Sequence, residues 1–303
     1  MSLPVWSMLP FLALLACIAV LPLIPATAKR WEGNGFKAII ALALGLPVGA
    51  WVWLAEDPHL VQHAMSEYAQ FIVLLASLFV VSGGVFVAGD LRATPRNNTV
   101  FLAVGAILAS FIGTTGAAIL LIRPLLNTNA ERRHKAHTVM FAILIVANCG
   151  GLLTPLGDPP LYVGLMRGVP FTWTFSLFWP WLFVNGLLAL TYYAIDCRQY
   201  AREPAEAIAE DNSAITPLSL HGSINIAWLA AIIASVAFLG EWPWIKVAVQ
   251  VAVGALSLLT TPKRVRYTDN EFTWGPIIEV AVLFAGIFLT MIPALQILRA
   301  EAH

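Results

Sequence analysis

Apolar residues in this chain come in long unbroken runs rather than at helical or strand spacing. Runs at about 7–26, 37–54, 69–89, 174–195, 224–240, 244–260 and 276–298 are separated by segments that carry the charges and turn residues. A helix crosses a bilayer with about 20 apolar residues. The pattern predicts an all-α membrane protein with many spans, and bilayer lipid as its first partner.

Two further apolar regions are interrupted. Residues 99–126 break at Gly113-Thr114-Thr115-Gly116. Residues 138–167 break at Asn148-Cys149-Gly150-Gly151 and again at Thr154-Pro155-Leu156-Gly157-Asp158-Pro159-Pro160. Backbone so rich in Gly and Pro does not stay helical. At membrane depth it must be buried in protein or line a wet cavity. Chemistry is therefore expected at these two breaks.

Composition agrees with the pattern. Hydrophobic residues are 59% of 303, charged residues 11%, and the mean hydropathy is +0.79. A soluble domain carries about 25% charged residues. The net charge is zero, so no polyanion or nucleic acid is expected as a partner. Cys17, Cys149 and Cys197 are far apart and predict neither a disulfide nor a zinc site. The N-terminal apolar stretch has no Lys or Arg before Lys29, so it reads as a first span and not as a signal peptide.

Lys and Arg set the orientation. With the N-terminus outside and 99–126 entering and leaving by one face, the segments 27–37, 89–98, 123–137, 196–222 and 261–274 lie inside and hold 14 of the 17 Lys and Arg. If 99–126 crossed instead, the later basic loops would lie outside. A re-entrant hairpin is expected. Five crossings plus a hairpin place a second copy on the opposite face. The stretch Ile72–Val81 shares Val, Leu, Ala and Phe with Ala281–Thr290 at four of ten positions. Together these predict an inverted repeat. The expected division is scaffold spans over 1–98, a transport region over 99–195, a cytoplasmic linker over 196–223 and the opening spans of a second repeat over 224–303. The transport region comprises the hairpin 99–126, the broken helix 138–167 and the span 174–195. The chain stops before a second hairpin, so an N-terminal fragment is expected.

At the hairpin tip, Gly113, Thr114, Thr115 and Gly116 offer hydroxyls and freed carbonyls about 12 residues in, roughly 18 Å of helix and about the bilayer middle. Such groups can replace a cation's water, or half-helix N-termini can face an anion. A Gly/Thr helix contact is the structural alternative. In the broken helix, Asn148, Thr154 and bared carbonyls are neutral oxygens suited to a hard cation such as sodium. Asp158 is the only acidic residue between Glu131 and Asp196. It reads equally as an ion ligand and as the cap of a helix opening at Pro159. Arg123 is expected to snorkel to the cytoplasmic face, Glu279 to lie at the interface, and the run 131–135 to be solvated.

The runs SFIGTTGAAILLIRPLL (110–126), ERRHKAHTVMFAILIVANCGGLLTPLGDPPLYVGLMRGVPF (131–171) and WLFVNGLL (181–188) resemble the sodium/proton antiporter and citrate transporter family of the ion transporter superfamily. D-type sodium/proton antiporters, arsenite permeases and dicarboxylate/sodium symporters are its relatives. The resemblance implies a multi-pass protein of the bacterial inner membrane, a re-entrant hairpin and an unwound helix in each repeat, sodium bound between them, and a homodimer working by an elevator motion. Carried onto this chain, it marks Gly113, Thr114 and Thr115 at the tip, and Asn148, Gly150, Gly151, Thr154, Gly157 and Asp158 in the unwound helix. Many relatives have an acidic residue or Asn at the tip, where this chain has Gly113-Thr114. That departure speaks against a carboxylate proton carrier there.

The expected function is cation-coupled secondary transport, either sodium/proton antiport or sodium-coupled uptake of a citrate-like organic anion. Sodium or the proton is the coupling ion, and no other cofactor is called for. A truncated, non-transporting membrane scaffold is the alternative. No paired carboxylates, HExxH or Ser/His arrangement points to an enzyme.

Overall fold

A computed structural model describes residues 4–213 and 215–301. The chain is mostly helical, as the apolar runs require. It opens with α1 (Leu9–Val20) and α2 (Pro25–Trp31), followed by α3 (Asn34–Ala55) and α4 (Pro58–Ser82). A short strand β1 (Phe86–Asp90) precedes α5 (Pro95–Ile112) and α6 (Thr114–Thr128). Next come α7 (Ala136–Ala142), α8 (Pro159–Met166), α9 (Phe178–Tyr200) and α10 (Ala205–Ser213). Strand β2 (Thr216–His221), α11 (Ile224–Phe238), α12 (Pro243–Thr260) and α13 (Gly275–Glu301) complete it.

Five described helical stretches are long and apolar enough to cross a membrane: Asn34–Ala55, Pro58–Ser82, Phe171–Tyr200, Pro243–Thr260 and Gly275–Ala300. The stretch expected as one span at 7–26 is not straight. Its helix over Val5–Val20 meets α2 at 98°. Pro25 explains the corner, because it starts a helix well but cannot continue one. α11 is apolar but only 15 residues long.

The chain forms two compact units, one of residues up to Ile72 together with those from Thr273, the other Val73–Phe272. In the first, α3 packs on α13 through small residues. Ala41, Gly45 and Gly49 recur every four residues, and a Cβ on Gly286 would sit 2.8 Å from the Ala41 carbonyl oxygen. Backbones approach this closely only where side chains are absent, the usual device of helix pairs in lipid. Around the seam, Val48, Val52, Ala64, Leu289 and Ile292 form a core, and the rings of Phe71 and Phe284 lie 4.7 Å apart. Lys37, expected in a basic loop, is buried and pairs with Glu279 at 2.7 Å.

The second unit holds a feature that helical patterning hides. β1 pairs antiparallel with β2, Phe86 opposite His221 and Ala88 opposite Ser219, with an irregularity before Asp90. Gly89 sits at φ 112°, and a Cβ there would meet the Pro217 carbonyl oxygen at 2.6 Å. The expected linker 196–223 therefore contains a helix and a strand. The C-terminal end of α4 is capped from afar. The Arg266 guanidinium donates to the Val80 carbonyl, and Asn270 Nδ2 donates to the carbonyls of Gly83 and Val85 at 2.9 and 3.0 Å. Arginine is favoured there because it meets the last helical carbonyls and the negative end of the dipole.

Candidate functional site

The α5–α6 pair is a helical hairpin that turns on one residue. Gly113 adopts φ 79° and ψ 150°, a conformation that a Cβ makes costly. Eight residues to either side, Gly105 and Leu121 face each other: a Cβ on Gly105 would lie 2.7 Å from Leu121 Cδ1. At the open end, Asn98 and Asn129 exchange side-chain amide bonds. Tip and base are thus both fixed by specific residues.

The helix that starts at Ala136 loosens as it goes. It is α-helical to Ala142, widens to a π-helix over Ile143–Cys149, tightens to a 3-10 turn over Gly150–Leu152, and stops. It resumes at Pro159, with extended Asp158 (φ −142°, ψ 136°) in the N-cap position. Widened turns of this kind often mark functional positions.

Hairpin tip and helix break are pressed together. The Thr114 backbone N–H donates to the Gly157 carbonyl at 3.1 Å. A Cβ on Gly151 would lie 2.8 Å from Thr114 Cγ2 and 2.7 Å from the Gly157 oxygen. A Cβ on Gly150 would meet Ala106 Cα and Ala109 Cβ, both on α5, at 2.9 Å. Gly116 is bounded by Ser82, whose Oγ a Cβ would meet at 2.9 Å.

Ser110 organises this junction, a role that nothing in its surrounding apolar run betrays. Its hydroxyl donates to the Gly150 carbonyl at 2.6 Å and accepts from the Leu153 N–H at 3.1 Å. Its own carbonyl accepts from the Thr154 hydroxyl. From α9, Trp181 Nε1 donates to the Gly150 carbonyl at 2.9 Å and Asn185 Nδ2 to the Cys149 carbonyl at 3.1 Å. Unwinding bared these carbonyls, and the three side chains satisfy them, as buried carbonyls require.

The residues singled out in sequence divide into two groups. Gly113, Thr114, Gly150, Gly151 and Gly157 meet at the junction, joined by Thr154, which is fully buried. The Thr154 hydroxyl also accepts from the Leu156 N–H at 3.2 Å, so it is occupied in holding the bend. Thr115 and Asn148 are exposed, and Asp158 is partly exposed. None of these three side chains makes a hydrogen bond among the described residues, and Asp158 does not cap α8 with its carboxylate. They are the polar groups left available beside the junction. Among the described residues no group of three or more His, Cys, Asp or Glu is placed to hold a metal ion.

The run 131–135 is solvated only in part: Arg133 and His134 are exposed, as expected, but Arg132 is buried. Arg132 is 4% exposed and pairs with Asp196 through Nη2–Oδ1 at 2.6 Å and Nη1–Oδ2 at 3.0 Å. His137 Nε2 lies 2.7 Å from the same carboxylate, and the Tyr192 hydroxyl donates to it at 3.2 Å. Glu203, also buried, accepts the N–H groups of Arg133 and His134 at 3.0 and 2.9 Å. Burial alone would raise the Glu203 carboxyl. These backbone donors and the nearby Arg132 outweigh burial and hold it below the usual glutamate range. Arg123 does not simply snorkel. It pairs with Glu271 at 2.5 Å and donates to the Asp269 carbonyl at 2.9 Å.

No curated protein and no solved structure matches the chain. A protein-family model described as "Putative citrate transport" matches residues 1–303. With a mostly helical fold and, among the described residues, five helices able to span a bilayer, the chain belongs to this citrate-transport family of membrane transporters.

Proposed function

We propose that the protein is a sodium-coupled secondary transporter of citrate-like organic anions, with the coupling ion bound where the α5–α6 tip meets the break after α7. One observation carries the reading, the Thr114 N–H bond to the Gly157 carbonyl. It brings together two irregular backbone segments, each flanked by apolar helix, and such meeting points are where secondary transporters keep ions and substrates. Next to these segments in the chain, Asp158, Asn148 and Thr115 supply oxygens that no donor among the described residues occupies. Gly113, Thr114, Gly150, Gly151 and Gly157 supply close-packed backbone, and Thr154 holds its shape. The ion neutralises Asp158, which makes a carboxylate at membrane depth tolerable.

In this reading 99–126 is re-entrant and the N-terminus lies outside, in the inner membrane of a bacterium. Residues 1–98 are the scaffold spans and 99–195 the transport region of the first inverted repeat, 224–303 are the opening spans of the second, and 196–223 links them inside. A homodimer with elevator motion follows from the same family likeness. Uptake of labelled citrate into proteoliposomes under an inward sodium gradient tests the reading. Uptake that collapses with the gradient supports it. Sodium-driven proton efflux without citrate uptake would instead establish antiport.

A further inference from the structure

Within the second unit lies a groove of about 820 Å³. Helix α5 lines it with Val100 and Val104, α11 with Ile226, and β2 with Leu218 and Leu220. Each of these side chains is about half exposed. Leu218 and Leu220 are two apart on a strand and so share one face. Apart from Arg96 and Asn97, every lining residue is apolar. Those two are adjacent in the first turn of α5, so the groove is polar at one end and apolar along the rest. From Arg96 to Ile112, also in the lining, is roughly 24 Å of helix. That is about the depth of one bilayer leaflet with its headgroups.

The polar end carries a positive charge that the protein does not match. Arg96 is exposed and forms no ion pair among the described residues. Arg92, four residues earlier, acts instead on the carboxylate of Asp211. Asn97 Nδ2 is engaged by the Arg92 carbonyl at 3.0 Å. Arg96 is therefore the group left to meet a ligand, and a guanidinium meets a phosphate with two parallel hydrogen bonds. A convex helix face in lipid is covered by whichever acyl chains pass it. A concave groove walled by helices and a strand, with a cation at one end only, matches a single molecule that is apolar along its length and anionic at its head.

We propose that this groove is a binding site for an anionic phospholipid, with its phosphate on Arg96 and its acyl chains laid along α5 toward the hairpin tip. A zwitterionic lipid also brings a phosphate, but its own ammonium competes with Arg96 for it. A headgroup without a cation leaves the phosphate to the guanidinium. The site is separate from the tip–break junction and does not depend on which ion or anion the protein carries.

The test uses the purified full chain in detergent, with phosphatidylglycerol and phosphatidylcholine of identical acyl chains as probes. Native mass spectrometry counts the lipid bound at each concentration. The wild type should hold phosphatidylglycerol about fivefold more tightly than phosphatidylcholine, the effect of one Lys or Arg beside an anionic headgroup. Arg96→Gln should erase that preference while both lipids still bind at the phosphatidylcholine level. Val104→Trp, which fills the groove, should weaken both lipids. A wild type without headgroup preference, or an Arg96→Gln protein that keeps it, would overturn the site. So would a Val104→Trp protein that separates a dimer yet binds phosphatidylglycerol as before, since the groove would then be covered by a second copy of the chain. Should Val104→Trp not fold, the change at exposed Arg96 decides alone.

Discussion

Asn98 and Asn129 exchange two amide hydrogen bonds, at 2.8 and 3.0 Å, across the open end of the α5–α6 hairpin. Gly113, the turn, lies 15 residues from one and 16 from the other. The pair is buried and is joined to Arg132 and Asp196 beneath it. Replacing either Asn by Ala removes both bonds of the exchange and leaves the other buried amide only its outside partners, the Leu125 carbonyl and Arg132 for Asn129 and Asp196 for Asn98, which costs about 1–3 kcal/mol. Asn98→Leu with Asn129→Leu should recover part of the loss, because neither amide is then left short of a partner. Thermal unfolding of the two single variants and the double variant in detergent measures the coupling. Additive losses would mean that the pair is not coupled.

Below that pair, Arg132 and Asp196 form a two-pronged ion pair with almost no exposure. Asp196→Ala should cost about 3–5 kcal/mol, because it strands a buried guanidinium. Changing both residues, as Arg132→Met with Asp196→Leu, should cost much less. A loss below about 1 kcal/mol for the single change would place the pair in water after all.

Acid should weaken this region through Glu203. Its folded-state carboxyl is held below its ordinary value, so its contribution is fully present above the ordinary glutamate range. As pH falls through that range toward the folded-state value, the contribution is lost. Melting temperature followed from neutral to acid pH should fall, and Glu203→Gln should flatten part of the fall. An unchanged slope in the variant would assign the acid sensitivity to other groups.

Both breaks were legible in sequence because Gly and Pro announce them. Gly113 and the run from Asn148 to Pro160 end helices wherever they occur. Their meeting was not legible from the residues themselves, since the Thr114–Gly157 bond joins positions 43 apart. Ser110 escaped for a related reason. A lone serine in an apolar run looks like a helix-facing hydroxyl until the bared Gly150 carbonyl is seen above it. β1 and β2 were missed because Phe86–Asp90 ends an apolar run and pairs with residues about 130 positions later. The charged run at 131–135 misled because burial of Arg132 depends on Asp196 and Glu203, which local patterning does not connect to it.

If the hairpin is re-entrant, its two ends share a face. Cysteines placed at Asn97 and Asn127 in a cysteine-free background should both react with an impermeant thiol reagent from the cytoplasmic side only. Reaction from opposite faces would make 99–126 a crossing segment and undo the inverted-repeat assignment.

The ion site at the tip–break junction is tested most directly by the sodium dependence of citrate uptake in Asp158→Asn proteoliposomes. Asn keeps an acceptor oxygen and side-chain size but loses the charge, and the two residues cap helices about equally. The variant should fold normally, with its half-saturating sodium concentration raised about tenfold, worth about 1.4 kcal/mol of ion affinity. A variant that folds and takes up citrate with wild-type sodium dependence would contradict it.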